Sequence, residues 1–186
     1  GGEPKWIAYA PGQLAVVDLA TRQVSEPAHI DRFFYKPRWS PQGDALYALR
    51  EDSEATHLVR VDLASDTLQP LTRGERLDSD FDLGPDGRVV VLGNGSAAPA
   101  EIHALDGGRL RPLTQANARW LAQVRLQPGE TLPFPAADGT PLHALLVKPA
   151  GWVPGRRVPT VVRLHGGPVY QFSHEFMFDW QWYAAQ

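Results

Sequence analysis

The sequence predicts blades of an incomplete β-propeller over residues 1–127, followed by the start of an α/β domain over residues 128–186. A sequence unit recurs at an interval of about 44 residues, and each copy holds several short strand-like runs. No stretch before residue 127 has a helical period of useful length. After residue 128 the pattern becomes strand, glycine turn and helix, which is typical of α/β folds.

Short apolar and β-branched runs, separated by turn residues, fill the first unit and indicate an all-β domain. The predicted strands are Trp6–Ala10, Leu14–Leu19, Asp44–Leu49, Leu58–Leu63, Arg88–Leu92 and Ile102–Leu105. Asn94-Gly95-Ser96 fits the N-glycosylation sequon, but Asn-Gly beside a strand is also a turn signal. We favour the turn.

Three pairs of segments define the repeat. Separated by 44, 44 and 42 residues, they are Val17-Asp18-Leu19 with Val61-Asp62-Leu63, Ser40-Pro41-Gln42-Gly43 with Gly84-Pro85-Asp86-Gly87, and Leu71-Thr72 with Leu113-Thr114. A period of this length with several strands per unit is typical of a propeller blade. We therefore expect four antiparallel strands in each blade, with Asp18 and Asp62 at equivalent positions.

The number of repeats is too small for a closed ring. The chain holds about two complete repeats and part of a third, whereas propellers have roughly four to eight blades. The first residues, Gly1–Lys5, include no initiator Met and do not form a signal peptide. We expect an internal fragment of a larger protein, whose total number of blades is left open.

Composition excludes several classes of function. The net charge of −3 argues against a nucleic-acid or anionic-membrane surface. The absence of cysteine excludes disulfides, thiolate zinc sites and a cysteine nucleophile. No stretch approaches the roughly 18 apolar residues of a membrane span. His174-Glu175 begins a zinc-helix pattern, but no second His follows, so we expect neither a metal nor a cofactor.

The second unit begins with a predicted hairpin. Phe134–Thr140 is read as a strand end and a turn, and Pro141–Val147 as the returning strand. Val161–Leu164 is read as a short buried strand. Asp179–Gln186 is predicted to be a helix, and the residues spaced for one of its faces are Trp180, Tyr183 and Ala184.

The turn after the second predicted strand carries the chemistry. It reads His165-Gly166-Gly167-Pro168. Glycines let the backbone approach another group closely, and Pro168 has no N–H and ends the strand. Lipase-like α/β-hydrolases use a strand ending in His-Gly-Gly to present a backbone N–H to an oxyanion. A plain strand-ending turn is the alternative.

The order of these features resembles the prolyl oligopeptidase family of serine peptidases. The resemblance covers the propeller repeats, the Phe-Pro-Ala-Ala-Asp-Gly-Thr-Pro-Leu-His-Ala segment of residues 134–144, and the His-Gly-Gly-Pro-x-x-Gln motif of residues 165–171. The His165 form is most similar to the acylaminoacyl-peptidase (acyl-peptide hydrolase) branch, since the dipeptidyl-peptidase branch tends to carry Tyr there. The resemblance implies a propeller that caps an α/β-hydrolase domain and restricts access to small peptides.

The resemblance also implies acyl transfer by a Ser–Asp–His triad. The nucleophile would lie in a Gly-x-Ser-x-Gly elbow, and none of the seven serines here has that context. The triad is therefore expected beyond residue 186. In this chain the implied site is the oxyanion turn, with Gly167 as the favoured N–H donor, Gly166 beside it, and His165 positioning the turn or adding a donor. The other histidines are expected to be loop or strand residues: His29, His57, His103, His143 and His174.

The implied partners are a short peptide substrate and either the remainder of the same polypeptide or a second chain that completes the hydrolase domain. A homo-oligomer is left open. No nucleic-acid or membrane partner is expected, and the protein is expected to be cytoplasmic. Two alternatives stay open. One is a propeller fused to an esterase that acts on non-peptide esters. The other is a non-catalytic propeller interaction module.

Overall fold

The computed structural model of the protein describes residues 9–168 and 170–186. Its strands are β1 (Val16–Val17), β2 (Val24–Ser25), β3 (Phe34–Trp39), β4 (Ala45–Asp52), β5 (Ala55–Asp62), β6 (Thr67–Pro70), β7 (Leu77–Leu83), β8 (Val89–Gly95), β9 (Ala98–Asp106), β10 (Arg109–Pro112), β11 (Gly129–Pro135) and β12 (Pro141–Val147). Its helices are α1 (Ala118–Leu121) and α2 (Phe178–Ala184). The strand predicted at Trp6–Ala10 lies largely outside the described residues.

Two four-stranded antiparallel sheets account for most of the first 112 residues. Strands β3, β4, β5 and β6 form the first blade, and β7, β8, β9 and β10 form the second. A single parallel pairing, Thr56 with Leu77, links the two blades, and the β1–β2 hairpin precedes them. The prediction of four antiparallel strands per blade is confirmed for these two. Within the described residues the sheets form no closed ring.

The repeated Asp-Leu segments make the same local structure. Asp18 Oδ1 accepts hydrogen bonds from the N–H groups two and three residues further on, at 2.9 and 2.7 Å. Asp62 Oδ1 does the same at 3.2 and 3.0 Å. Such Asx turns use the carboxylate in place of a backbone acceptor. In both carboxyls the pKa is lowered, first of all by the N–H three residues on. The two aspartates occupy equivalent positions, as the repeat predicts.

The repeated Leu-Thr segments fasten the fourth strand of each blade to its third. Leu58 accepts hydrogen bonds from the backbone N–H groups of Leu71 and Thr72 at 2.8 and 3.3 Å, and donates its own N–H to the Thr72 hydroxyl at 2.9 Å. Ile102 makes the same three bonds with Leu113-Thr114, at 2.8, 3.3 and 2.9 Å. This shared hydrogen bonding is the physical basis of the recurring Leu-Thr pair.

The core lies on both faces of the first blade. On one face Leu46 packs in a buried cluster with Leu14 from the segment before the blade. On the other face Leu49 and Leu58 pack with Phe81 of the second blade. Alternate residues of one strand point to opposite faces, so β4 and β5 need apolar side chains on both. Burial between neighbouring blades is what holds a propeller together.

The first strands of the two blades also carry matched charges. Lys36 Nζ lies 2.9 Å from Asp80 Oδ2, and Arg38 Nη1 lies 2.7 Å from Asp82 Oδ1. The Lys36 ammonium, which donates a hydrogen bond to the Asp80 carboxylate, is the largest cause of a lowered Asp80 pKa. We call these two pairs the interblade ladder. Each pair joins positions 44 residues apart, which the repeat makes equivalent.

After the blades the chain forms an antiparallel hairpin and a helix. The hairpin pairs β11 with β12 from Gly129–Val147 to Pro135–Pro141, and β12 has the predicted bounds. Helix α2 confirms the predicted helix, but its inward face differs from the prediction. Gln181 and Ala184 are buried, whereas Tyr183 is 56% exposed. A polar residue can face inward here because the Gln181 amide donates a hydrogen bond to the buried Ser96 carbonyl. The division between residues 127 and 128 stays a prediction. Neither helix in the described part of the chain could span a lipid bilayer.

Glu101 gives the propeller an acid-sensitive contact. Its carboxylate accepts hydrogen bonds from the Thr114 hydroxyl and from the N–H groups of Ala116 and Asn117. The Thr114 hydroxyl is the largest cause that lowers the Glu101 pKa to about 2 from its ordinary 4.5. A carboxyl with a depressed folded-state pKa stabilises the fold above its unfolded-state pKa, and the contribution is lost as pH falls.

We therefore expect Glu101→Gln to reduce the loss of stability between about pH 4.5 and pH 2 relative to wild type. Denaturant midpoints measured across that range on the full-length protein check this. Glu75→Gln, at an exposed position, is the matched control. Equal pH dependence in wild type and Glu101→Gln would contradict the assignment.

Candidate functional site

The predicted oxyanion turn, His165–Pro168, lies on an exposed segment. The buried strand predicted before it, at Val161–Leu164, is wrong. Val161, Val162 and Leu164 are 66%, 80% and 86% exposed, and they belong to no strand. A buried strand needs hydrogen-bonded neighbours and a covering layer, and the described residues place neither beside this segment. What the sequence read as a core strand is an uncovered apolar run that leads into the turn.

The two glycines of the turn leave its backbone open on one side. A Cβ placed on Gly166 or Gly167 would meet no atom within 4 Å, and neither residue has a left-handed φ. Among the described residues, neither N–H donates a hydrogen bond. Local strain therefore does not require glycine here. Their effect is to leave unpartnered backbone donors on an accessible surface, which is what an oxyanion site needs.

The His165 ring supports the turn. Its Nδ1 donates a hydrogen bond to the Gly166 carbonyl at 2.7 Å. The ring contacts Tyr170 and Phe172 edge-on, with centroid separations of 5.8 and 5.7 Å. With Nδ1 engaged by the backbone and the ring held by two aromatic neighbours, the geometry favours a positioning role over that of an additional donor.

A chain of aromatic contacts connects the turn to helix α2. Phe172 packs edge-on against Trp180 of the helix, with a centroid separation of 5.2 Å. The Arg163 guanidinium lies 5.5 Å from the Phe172 ring centroid and also pairs with Asp179. The residues before the turn, after the turn and in the helix are therefore packed as one unit.

A wide groove of about 1890 Å³ runs beside this unit. His165, Phe172 and Trp180 line it together with β12 and residues 156–164. Pockets for small ligands usually measure about 300–1,000 Å³. The groove has room for further polypeptide as well as for a ligand.

Two groups close to the turn have perturbed acidity. Burial raises the pKa of the Glu175 carboxyl, and the Glu51 carboxylate adds to the increase. Burial, followed by a hydrogen bond with Glu51, raises the pKa of the Tyr35 hydroxyl, and Tyr170 contributes a smaller charge effect. Both shifts include a charge effect between the first blade, at Tyr35 or Glu51, and a residue that follows the turn, Tyr170 or Glu175.

The segment that follows the turn, residues 170–176, is hydrogen-bonded to the first blade. The His174 N–H donates to the Glu54 carbonyl at 2.7 Å, and Gln171 Nε2 donates to the Ala55 carbonyl at 3.2 Å. Both acceptors lie at the β4–β5 turn. The propeller therefore contacts the chain within a few residues of the predicted site.

The second blade makes equivalent contacts through its β8–β9 turn. Asn94 Oδ1 accepts a hydrogen bond from the Phe176 N–H at 3.0 Å, so the Asn94 side chain of the sequon is engaged within the fold. The turn itself lies at Ser96-Ala97, slightly later than predicted. The Gln181 side chain bonds to the Ser96 carbonyl and to both backbone groups of Gln127.

Glu54 brings together two of the histidines that the sequence assigned to loops or strands. Its carboxylate lies 3.1 Å from His143 Nδ1 and accepts a hydrogen bond from the Thr131 hydroxyl at 3.2 Å. Thr131 Oγ1 in turn lies 3.1 Å from His174 Nε2. Within residues 9–168 and 170–186, no three His, Asp or Glu side chains are grouped to hold a metal ion.

The contacts through Glu54, Gln171 and Gln181 were not foreseen from the sequence. Each joins residues separated by more than 50 positions, which no local pattern reports. Gln171 alone carried a signal, as the last residue of the His-Gly-Gly-Pro-x-x-Gln motif.

Comparison with known proteins supports the fold. No protein-family model matches the chain. It is 21% identical over 153 residues to the uncharacterized peptidase YuxL of Bacillus subtilis, a match covering 81% of this chain and 23% of that protein. The uncomplexed acylaminoacyl peptidase of Pyrococcus horikoshii matches with a TM-score of 0.81 at 20% identity, covering 95% of this chain and 27% of that one.

The β-propeller domain of the Trilobed protease from Pyrococcus furiosus also matches, with a TM-score of 0.52 at 19% identity, over 63% of this chain and 35% of that one. The propeller prediction and the resemblance to acylaminoacyl peptidases are thereby confirmed at the level of fold. The chain spans about a quarter of the length of the peptidases it matches.

Proposed function

We propose that this chain is part of a serine peptidase of the prolyl oligopeptidase family, of the acylaminoacyl-peptidase type, which hydrolyses short peptides. The observation that carries the proposal is the open His165–Gly167 turn. Its free backbone N–H groups face an accessible surface, and the blades that precede it have the fold of a peptidase propeller. Residues 128–186 would form the beginning of the α/β-hydrolase domain.

In the proposed reaction a serine hydroxyl, from a triad beyond residue 186, attacks the scissile carbonyl carbon. The triad histidine takes the serine proton, and the carbonyl oxygen gains a negative charge in the tetrahedral intermediate. The amine leaves with that proton, and water then hydrolyses the acyl-enzyme and restores the serine hydroxyl. Gly167 would donate its N–H to the charged carbonyl oxygen, and the N–H after the nucleophile would be the second donor. Donors already in place lower the barrier because they need not reorganise during the reaction.

The exposed apolar run before the turn indicates what the rest of the enzyme supplies. Val161, Val162 and Leu164 are aliphatic but mostly exposed, and a run of exposed apolar side chains favours contact with another apolar surface. We infer that further strands, from the same polypeptide or from a second chain, cover them and fill part of the groove. The remaining space, between propeller and hydrolase domain, would admit short peptides and exclude folded proteins.

The test is a direct assay of the full-length protein. We expect hydrolysis of acyl-amino-acid anilides and of short acylated peptides, abolished by a serine-directed fluorophosphonate. Hydrolysis of simple esters without the anilides would favour an esterase. No turnover, together with no labelling by the fluorophosphonate, would leave a non-catalytic propeller module as the function.

The 186-residue chain on its own is expected to hydrolyse nothing above background. It holds no nucleophile elbow, and an oxyanion donor without a nucleophile forms no acyl-enzyme. The measurement is anilide turnover by the purified chain at high concentration, with and without the fluorophosphonate. Inhibitor-sensitive turnover would place the nucleophile within these residues.

A further inference from the structure

We propose that three side-chain amides, those of Asn94, Gln171 and Gln181, are positioning residues that fix the oxyanion turn against the propeller. We call them the amide seam. The inference rests on the proposed function, and it gives the propeller a second task besides gating: setting the geometry of the oxyanion hole.

The first contact of the seam lies four residues after Gly167. Gln171 Nε2 donates hydrogen bonds to the Ala55 carbonyl and to the Ser173 hydroxyl, both at 3.2 Å. Ala55 is 5% exposed and opens strand β5, and Ser173 is 2% exposed. The amide therefore joins the segment after the turn to a buried, sheet-bonded part of the first blade.

The second contact is the most fully bonded. Gln181 is 8% exposed, and its Oε1 accepts from the Gln127 N–H at 2.7 Å. Its Nε2 donates to the carbonyls of Gln127 and Ser96 at 2.8 and 3.0 Å. Both ends of the amide are engaged, so its orientation is fixed. Breaking such a buried arrangement leaves polar groups without partners.

The third contact is made by the second blade. Asn94 Oδ1 accepts from the Phe176 N–H at 3.0 Å. Asn94 lies near the end of β8, and Ser96, whose carbonyl accepts from Gln181, follows it in the next turn. The seam thus draws on the β4–β5 turn of one blade and the β8–β9 turn of the other.

The fixed segment reaches the turn through packed rings. Trp180, adjacent to Gln181, packs on Phe172, and Phe172 packs on His165. His165 Nδ1 donates to the Gly166 carbonyl. A Cβ on either glycine would meet no atom within 4 Å, so no neighbouring group packs against that side of the turn. The location of the Gly167 N–H therefore depends on its surroundings, and the seam holds the chain from Gln171 onward.

A positioning role and a purely structural role predict different kinetics. Loss of structure alone lowers the amount of folded enzyme and leaves the kinetics of the folded fraction unchanged. A displaced oxyanion donor reduces the stabilisation of the transition state more than it reduces the binding of the substrate. A misplacement of about 1 Å can lower the rate by roughly 10²-fold. The split between kcat and KM therefore distinguishes the two roles.

The experiment uses the full-length enzyme with Gln171→Met, which keeps the side-chain length and removes the amide. Gln123→Met is the matched control, since Gln123 is exposed and its side-chain amide donates to the Arg119 carbonyl of the adjacent helix α1, at 3.0 Å, and not to the blades. We measure kcat and KM on an acyl-peptide anilide. We also measure the affinity for a peptide boronate, whose tetrahedral adduct needs the oxyanion hole, and compare it with the affinity for a product peptide, which forms no such adduct. We expect Gln171→Met to lose roughly 10- to 100-fold in kcat and in boronate affinity. KM and product affinity should stay within about two-fold.

Asn94→Ala and Asn94→Asp provide a second reading that does not depend on the folding of Gln171→Met. The aspartate keeps an acceptor for the Phe176 N–H, so Asn94→Asp should retain kcat and boronate affinity that Asn94→Ala loses. Active folded variants of Gln171 and Asn94 with wild-type kcat and boronate affinity would overturn the inference. An inactive, fluorophosphonate-unreactive wild type would instead refute the proposed function.

Discussion

Replacing Gly167 with valine is expected to leave a folded enzyme that has lost roughly 10²–10³ in kcat, equivalent to about 2.7–4 kcal/mol of transition-state stabilisation. The structure indicates that the fold tolerates the change, because a Cβ at Gly167 meets no atom within 4 Å and its φ is not left-handed. In the proposed site a substrate carbonyl would approach the Gly167 N–H beside this open space. A branched side chain there narrows the backbone angles and blocks that approach.

The measurements are kcat, KM and thermal midpoint of the full-length protein. KM should change little, because the donor acts mainly on the developing oxyanion. Gly155→Val is the contrasting variant. Gly155 has a φ of 86°, so valine there strains the backbone and should lower the thermal midpoint, although the residue is not part of the turn. A folded Gly167→Val enzyme within a few-fold of wild-type kcat would remove the turn from the mechanism.

The largest loss of stability is expected from Asp78→Ala, at about 3–5 kcal/mol. Asp78 is fully buried between the blades. Its carboxylate lies 2.7 and 2.6 Å from the Nε and Nη2 of Arg76, and it also accepts from the Thr72 hydroxyl. Removing it leaves Arg76, which is only 18% exposed, as an uncompensated charge. Denaturant unfolding of the full-length protein measures the loss.

Asp82→Ala is the matched control, because Asp82 is 67% exposed and its pair with Arg38 should contribute at most about 1 kcal/mol. Gly93→Ala probes the same buried pair from the other side. Its Cβ would lie 2.1 Å from Arg76 Nη2 and 2.5 Å from Asp78 Oδ1, so it should also destabilise, by about 1–3 kcal/mol. Equal stability of the Asp78 and Asp82 variants would contradict the assignment of Asp78 as a buried interblade contact.

The sequence predicts the propeller well where its signals are local. The Asp-Leu repeats correspond to turns, and the Leu-Thr repeats correspond to contacts between strands. The predicted first and last residues of β12 are those of the structure. Strands β3 and β7 were not predicted. β3 contains Pro37 between two cations, and β7 alternates aspartates with other residues, so neither has the apolar pattern of a strand. Their charges are satisfied by the neighbouring blade, and such pairing leaves no trace in a local window.

The candidate site shows the same limit. The His-Gly-Gly-Pro motif was found because a glycine turn is local chemistry. The hydrogen bonds that hold its surroundings were not found, because Gln181 contacts residues 54 and 85 positions earlier. The strand predicted at Val161–Leu164 failed for the opposite reason. Its apolar composition anticipates a covering layer, and the described residues do not include one.

The interblade ladder makes the two blades non-interchangeable. Equivalent positions hold cations in the first blade and anions in the second, at Lys36 with Asp80 and at Arg38 with Asp82. A duplicated copy of β3–β6 placed beside the original would set ammonium against ammonium and guanidinium against guanidinium. The charge pattern therefore favours one order of neighbouring blades and penalises a repeated one.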